Sequence, residues 1–214
     1  QMPLARSLGL NYSFSLLLKS PYVLEIIRVG LPRMLALASE HIALTFNKFL
    51  AFAISSGTAL AALTYANSLS LVIPTLFGYT FAVPAFTVLS GLLQDKDYKK
   101  AESVIIKTLN EILFLSLPFV ITAIILRAPI IRLVFGIFPN TAFTLNDTYL
   151  TAWIFLWFSI GLIFVCGRWF MYRVFYAAKD TVIPFLVSGI SLFLTIILSI
   201  LFTNLFSHNP DFAI

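Results

Sequence analysis

The chain has 214 residues, of which 60% are hydrophobic and 11% are charged, and its mean hydropathy is +0.97. Soluble domains contain about 45–50% apolar and ~25% charged residues, so this composition excludes a soluble globular domain. The 22 Phe and 10 Pro residues also exclude a disordered chain or a coiled coil. The composition therefore predicts an integral membrane protein.

The net charge of +5 and the single cysteine bear on the possible partners and cofactors. Because the chain has so few charges, basic loops facing the cytoplasm explain the positive net charge better than a nucleic-acid partner does. Cys166 alone can form neither an internal disulfide nor a zinc cluster. We expect no nucleic-acid partner, no metal and no cofactor.

The first 31 residues are expected to form a cytoplasmic linker. Ser20 and Pro21, followed by the apolar and charged residues 22–28, are typical of a capped, short amphipathic helix on the membrane surface. Residues 30–32 would then turn the chain into the membrane. An irregular linker is the alternative.

Apolar stretches of about 20 residues predict five transmembrane helices in a membrane domain over residues 32–206. Their unbroken length favours helices over a barrel. The predicted helices cover residues 32–54, 67–89, 104–126, 149–176 and 182–206. Residues 207–214 are expected to be a truncated external loop of a longer protein. Pro74, Gly78 and Pro84 indicate a kinked or partly unwound second helix.

The distribution of lysine and arginine predicts the orientation. Basic residues concentrate before the first span and in the second and fourth connections, whereas the first connection has no charged residue. The third connection carries Arg127 and Arg132. By the positive-inside rule, the N-terminal side is cytoplasmic.

The first span has an unusual polar face, formed by Arg33, Glu40, His41, Asn47 and Lys48. At ~100° per residue these side chains share a face about 120° wide. An ionisable group at mid-membrane costs at least ~2.5–3.5 kcal/mol, so this face must meet water, a polar helix or a charged ligand. A Glu–Lys or Glu–His pair that only joins helices is the alternative, although Glu40 and Lys48 lie roughly 12 Å apart along the axis.

An ordered series of motifs between residues 20 and 206 resembles a known family. The motifs are Leu31-Pro32-Arg33, Tyr65-Ala66-Asn67-Ser68-Leu69, Phe77-Gly78, Val83-Pro84-Ala85-Phe86, the run from Leu126 to Gly136, and the run from Arg173 to Pro184. The set is similar to the C-terminal lobe of the MurJ (MviN) lipid II flippase family, within the MOP exporter superfamily.

The resemblance implies a two-lobed exporter in which the five spans open the second lobe. Such proteins move an undecaprenyl-pyrophosphate-linked peptidoglycan precursor across the bacterial cytoplasmic membrane by alternating access. The partners implied are a lipid-linked anionic substrate, membrane lipids and the remaining lobe of the same chain.

The resemblance and the polar face together suggest three groups of site residues. The substrate path would be lined by Arg33, Glu40, His41, Asn47, Lys48, Asn67 and Ser68. A cytoplasmic gate or hinge would contain Arg173, Lys179 and Asp180. An ion site, which some family members are thought to have, would contain Asn47, Thr195 and Ser199. Topology is an alternative role for Arg173 and Lys179, and helix capping is the preferred role for Asp180.

The chain departs from the family pattern at two places. Asn67-Ser68 stands where many members have Asp-Arg, and Asn47 stands where many have an acid. The second change removes the carboxylate that a sodium site would use. We hypothesise that Lys48, on the same polar face, supplies the cavity charge that is missing at Ser68.

Other functions remain to be compared with this one. A related exporter of another lipid-linked oligosaccharide or a drug-type antiporter would have the same fold. A non-transporting membrane scaffold would have no cavity between the first two spans. An enzyme is disfavoured, because the acids are scattered and no cluster suited to acid–base or metal chemistry is present in the sequence.

Overall fold

The computed structural model describes residues 21–55, 57–136 and 143–206, which form helices and short turns with no strand. The linker before residue 21 and the external loop at 207–214 lie outside the described residues. The helices are α1 (Pro21–Ser55), α2 (Thr58–Ser70), a π-helix (Pro74–Tyr79), α3 (Thr80–Gln94), α4 (Tyr98–Ile125), α5 (Arg127–Phe135), α6 (Leu145–Ala177) and α7 (Val182–Phe206).

Four helical stretches in the described part of the chain are long and apolar enough to cross a membrane, one fewer than predicted. They are Thr58–Gln94, Tyr98–Ile125, Leu145–Ala177 and Val182–Leu205. α1 has sufficient length, 35 residues. The polar face around Glu40 and Asn47 lowers its hydropathy, so that length and composition alone do not identify it as a span. The protein is a multi-pass, all-α membrane protein.

α1 is one continuous helix, so the predicted turn at residues 30–32 is wrong. Pro32 lies inside the helix. A proline removes one backbone hydrogen bond and crowds the preceding turn, but the remaining bonds of a long helix can tolerate this loss in a membrane protein. The predicted surface helix and the first span are therefore a single element.

The second span begins nine residues earlier than predicted, at Thr58 instead of residue 67. Residues 58–66 are rich in Ala and Leu, which favour a helix, and the break before them is at Gly57, with φ of 116°. The predicted local distortion is confirmed, because Pro74–Tyr79 form a π-helix. Proline removes a donor from the hydrogen-bond ladder of the helix, and π-helix, which is rare, occurs mostly as such single turns inside longer helices.

The ends of α4 and α6 are capped by acidic side chains. Asp97 accepts a hydrogen bond from the Lys100 backbone N–H at the start of α4, and the hydrogen bond from the Lys100 side chain lowers the pKa of the Asp97 carboxyl. Thr144 and Asp147 form a reciprocal capping box at the start of α6.

The third connection contains a helix that was not predicted, α5, which begins at Arg127.

α6 is the central helix of the fold. It packs against α2, the π-helix, α3, α4 and α5, and its buried face includes Phe155, Cys166 and Phe170. The π-helix approaches α6 closely at Gly78, where an added Cβ would lie 3.2 Å from the Cα of Cys166. α1 packs mainly against α7 and α2. This arrangement leaves a space bordered by α1, α2, α6 and α7.

Candidate functional site

An ion pair joins α1 to α6 in this space. Arg168 Nη1 donates to Glu40 Oε1, and each of these side chains is 34% exposed. The two residues are separated by 128 positions in the chain, so the contact exists only in the tertiary structure. Glu40 therefore pairs with a different helix and not with Lys48 or His41 on its own helix.

The pair is extended to α7 by two hydroxyl groups. Tyr172, one turn after Arg168 on α6, lies 3.4 Å from the Arg168 Nη1 atom through its phenol oxygen. The same oxygen lies 2.9 Å from the Ser188 hydroxyl on α7, and Ser188 is buried. Polar side chains thus connect three helices around one point, where a low local dielectric strengthens each hydrogen bond.

A cavity of about 470 Å³ lies on one side of the ion pair. Its polar wall is formed by Ser39, Glu40, Asn47, Asn67, Ser70, Arg168, Ser188, Ser191 and Thr195, and its apolar wall includes Trp157, Phe158, Leu162 and Leu192. The lining comes from α1, α2, the π-helix, α6 and α7. A partly open cavity with polar side chains along one wall can hold water or a polar ligand group.

A second cavity, of about 230 Å³, lies toward the end where α1 and α7 begin and α6 ends. Arg33 and Arg173 line it, together with three tyrosines: Tyr79, Tyr172 and Tyr176. Glu40, Trp169 and Ser188 border both cavities. The two spaces therefore meet at the ion pair.

Each of the three arginines at this site lies over a tyrosine ring. The guanidinium carbon of Arg33 is 4.9 Å from the centre of the Tyr176 ring. The equivalent distance is 5.0 Å from Arg173 to Tyr79, which belongs to the π-helix. For Arg168 and Tyr172 it is 5.4 Å. These cation–π contacts hold the three guanidinium groups beside the tyrosine rings.

The predicted ion-site residues lie in the contact between α1 and α7. The Ser199 hydroxyl donates to the Asn47 side-chain oxygen over 2.9 Å. Asn47 and Thr195 both line the larger cavity, and Ser199 lies one turn beyond Thr195. The three residues therefore come together, with a neutral amide at the position of the expected acid.

Only part of the predicted polar face points into the cavities. Arg33, Glu40 and Asn47 recur every seven residues and line one cavity or the other. His41 is exposed and Lys48 is half-buried, and neither borders these two cavities. Because His41 and Lys48 each follow a lining residue by one position, they are rotated by ~100° away from it.

Of the remaining predicted residues, some line a cavity and others do not. Asn67 lines the larger cavity, whereas Ser68 is exposed and donates its hydroxyl hydrogen bond to the Thr64 carbonyl. Lys179 is exposed in the turn between α6 and α7. Asp180 accepts from two backbone N–H groups at the start of α7, as expected of a helix cap.

Arg168 is the residue that sequence reasoning missed, since it was not among the predicted site residues. A signal for it was present on α6. Arg168, Tyr172 and Tyr176 recur every four residues, which places an arginine and two aromatic hydroxyls on one face of a largely apolar helix.

Comparison with known proteins connects this arrangement to a family of transporters. A family-wide sequence profile described as "Lipid II flippase MurJ" matches residues 1–210. The chain is 30% identical over 198 residues, 91% of its length and 35% of the relative's, to a "Probable lipid II flippase MurJ" of Synechocystis sp.. It is 32% identical over 122 residues, 57% of its length and 25% of the relative's, to a "Lipid II flippase MurJ" of Thermosipho africanus.

No solved structure matches the fold closely enough to add to this comparison. The chain spans about a third or less of the length of the relatives it matches. Since the family profile covers nearly the whole chain, the protein belongs to the lipid II flippase MurJ family.

Proposed function

We propose that the protein takes part in moving a lipid-linked peptidoglycan precursor, carried on undecaprenyl pyrophosphate, across the bacterial cytoplasmic membrane by alternating access. The chain would supply the first helices of the second lobe of the transporter, with the N-terminal side of α1 in the cytoplasm, and the rest of the protein would close the path. The observation that carries the proposal is the cavity between α1, α2, α6 and α7, whose wall includes the Glu40–Arg168 pair and several neutral polar side chains.

Such a cavity suits the substrate, which combines an anionic headgroup with a long apolar tail. Polar side chains replace the water that the headgroup loses on entering the membrane, where an unpaired charge is costly. The tail can remain in lipid along the apolar outer faces, where Phe114 on α4 is 79% exposed and Phe193 on α7 is 67% exposed. The headgroup and the tail would then follow different routes.

The cavity also favours a transporter over a membrane scaffold. A scaffold predicts no cavity between the first two spans, whereas Glu40 and Asn47 of α1 and Asn67 of α2 border a common space. For Arg173 and Lys179, at the cytoplasmic end, we keep the proposed gate or hinge role. Asp180 acts there as the cap of α7.

Lys48 is proposed to supply positive charge to the path once the remaining lobe is present, in place of the arginine that many relatives have at Ser68. Lys48→Ala should then reduce transport, whereas Lys99→Ala, which removes an exposed charge outside the cavities, should not. Unchanged transport in Lys48→Ala would contradict this role.

The function is tested by complementation in bacteria depleted of their own lipid II flippase. Expression of the protein should restore growth and normal cell shape. Arg168→Gln should fail to restore growth at equal membrane abundance, and Lys99→Gln should succeed. Failure of the unaltered protein, despite its presence in the membrane, would refute lipid II transport and favour a related exporter of another lipid-linked oligosaccharide.

A further inference from the structure

We propose that the smaller cavity is a binding site for the diphosphate group of a lipid-linked substrate, held by Arg33 and Arg173. The inference rests on the proposed function and names the part of the substrate that this site binds. In the proposal Arg168 does not contact the diphosphate. It neutralises Glu40, which would otherwise repel an anion.

The charge of the cavity supports an anionic ligand. Glu40 is the one acidic residue among the described residues that line it, and Arg168 already pairs with it. Among the described residues, neither Arg33 nor Arg173 forms an ion pair. The residues before position 21 contain no Asp or Glu that could neutralise these arginines. Two positive charges therefore remain at the cavity without a carboxylate.

The geometry of the arginines favours phosphate over a diffuse counter-ion. Tyr176 lies under Arg33 and Tyr79 lies under Arg173. A guanidinium held over an aromatic ring by a cation–π contact can still donate paired hydrogen bonds from its edge to phosphate oxygens. The rings also reduce the side-chain entropy that each arginine loses when an anion binds.

The size and position of the cavity match one part of a large headgroup. Its volume of about 230 Å³ is below that of pockets for drug-sized ligands, which begin at ~300 Å³. The larger cavity, of about 470 Å³, begins at the shared wall formed by Glu40, Trp169 and Ser188. A diphosphate in the smaller cavity would leave the attached polar groups room in the larger one.

Binding can be measured by calorimetry on the purified protein in dodecyl maltoside, with inorganic pyrophosphate and farnesyl diphosphate as the two probes. Arg33→Gln and Arg173→Gln should each weaken the binding of farnesyl diphosphate about tenfold, because each removes a charge-assisted contact. Lys99→Gln, which removes an exposed charge outside both cavities, should change it less than twofold.

Two further variants separate the site from a loss of folding. Glu40→Gln should bind farnesyl diphosphate several-fold more tightly, because the positive charge of Arg168 beside the cavity is then no longer neutralised by a carboxylate. Misfolding cannot produce tighter binding. Tyr176→Phe should keep the affinity, since the ring remains under Arg33, and Tyr176→Leu should lower it.

The outcomes distinguish the ligand sources and the two proposals. A lipid-linked diphosphate is supported if the unaltered protein binds farnesyl diphosphate more tightly than pyrophosphate and both arginine variants lose this binding. Arginine-dependent binding of pyrophosphate alone would overturn the lipid assignment, and equal binding by Arg33→Gln, Arg173→Gln and the unaltered protein would overturn the site. Arginine-dependent binding of the lipid probe by a protein that fails complementation would refute the proposed function and leave the site intact.

Discussion

Breaking the Glu40–Arg168 pair should loosen the contact between α1 and the central helix α6. Exposed ion pairs contribute ~0.2–1 kcal/mol, and removal of one partner of a buried pair costs ~3–5 kcal/mol. Because both side chains are 34% exposed, the coupling energy should fall between these limits, at about 1–2 kcal/mol. Arg168 also contacts Tyr172, so Arg168→Gln should cost more than Glu40→Gln.

A double-mutant cycle isolates this energy. Arg168→Gln, Glu40→Gln and the double variant are unfolded in mixed micelles of dodecyl sulfate and dodecyl maltoside, with helicity followed by circular dichroism. The double variant should lose less stability than the sum of the single variants, because it buries no unpaired charge.

The chain contains a matched control for the cycle. Lys107 and Glu111 form an exposed pair within α4, at 4.0 Å, with side chains 77% and 44% exposed. Their cycle with glutamine should give a coupling energy below ~0.5 kcal/mol. If the Glu40–Arg168 variants are additive within about 0.3 kcal/mol, the pair does not hold α1 against α6 and the reasoning is refuted.

Three further predictions concern helix contacts and a helix cap. Gly78→Ala should destabilise the protein by about 1 kcal/mol in the same unfolding assay, because its Cβ would crowd the backbone of Cys166; an unchanged midpoint would show that the helices separate freely. Asn47→Ala should lower the free energy of unfolding by about 0.6–1.7 kcal/mol, because it removes the hydrogen bond to Ser199. Once residue 47 is alanine, Ser199→Ala should cause no further loss of stability. Asp180→Ala should cost about 1 kcal/mol and Asp180→Asn much less, whereas equal losses of transport in both would indicate a charge-dependent gate.

The agreement between sequence and structure differs from helix to helix for identifiable reasons. α7 was predicted with its observed bounds, because it is uniformly apolar and Asp180 marks its start. α1 was divided at Pro32, since a local rule gave the proline more weight than the helix on both sides of it. The start at Thr58 was missed because a neutral, alanine-rich segment resembles both a loop without charges and a helix.

The candidate site could likewise be predicted only in part from local sequence patterns. The polar face of α1 was evident from the spacing of its residues, but a face about 120° wide did not tell which side chains turn inward. The packing of α1 against α2 and α7 turns Arg33, Glu40 and Asn47 toward the two cavities, and leaves His41 and Lys48 outside them. His41 and Lys48 each lie one position after Glu40 and Asn47 on the helix, and only the neighbouring helices determine which of the two positions faces a cavity.

The sequence by itself determined the membrane class, most of the helices and the presence of a polar surface on α1. These are local properties, because a chain in lipid must satisfy its backbone hydrogen bonds within each helix and hydropathy reports that requirement residue by residue. The tertiary structure alone decided that Arg168 is the partner of Glu40, 128 positions away, and that Arg33 and Arg173 face one cavity. Charge pairing depends on distance in space, and the packing of α1 and α7 beside α6 sets that distance.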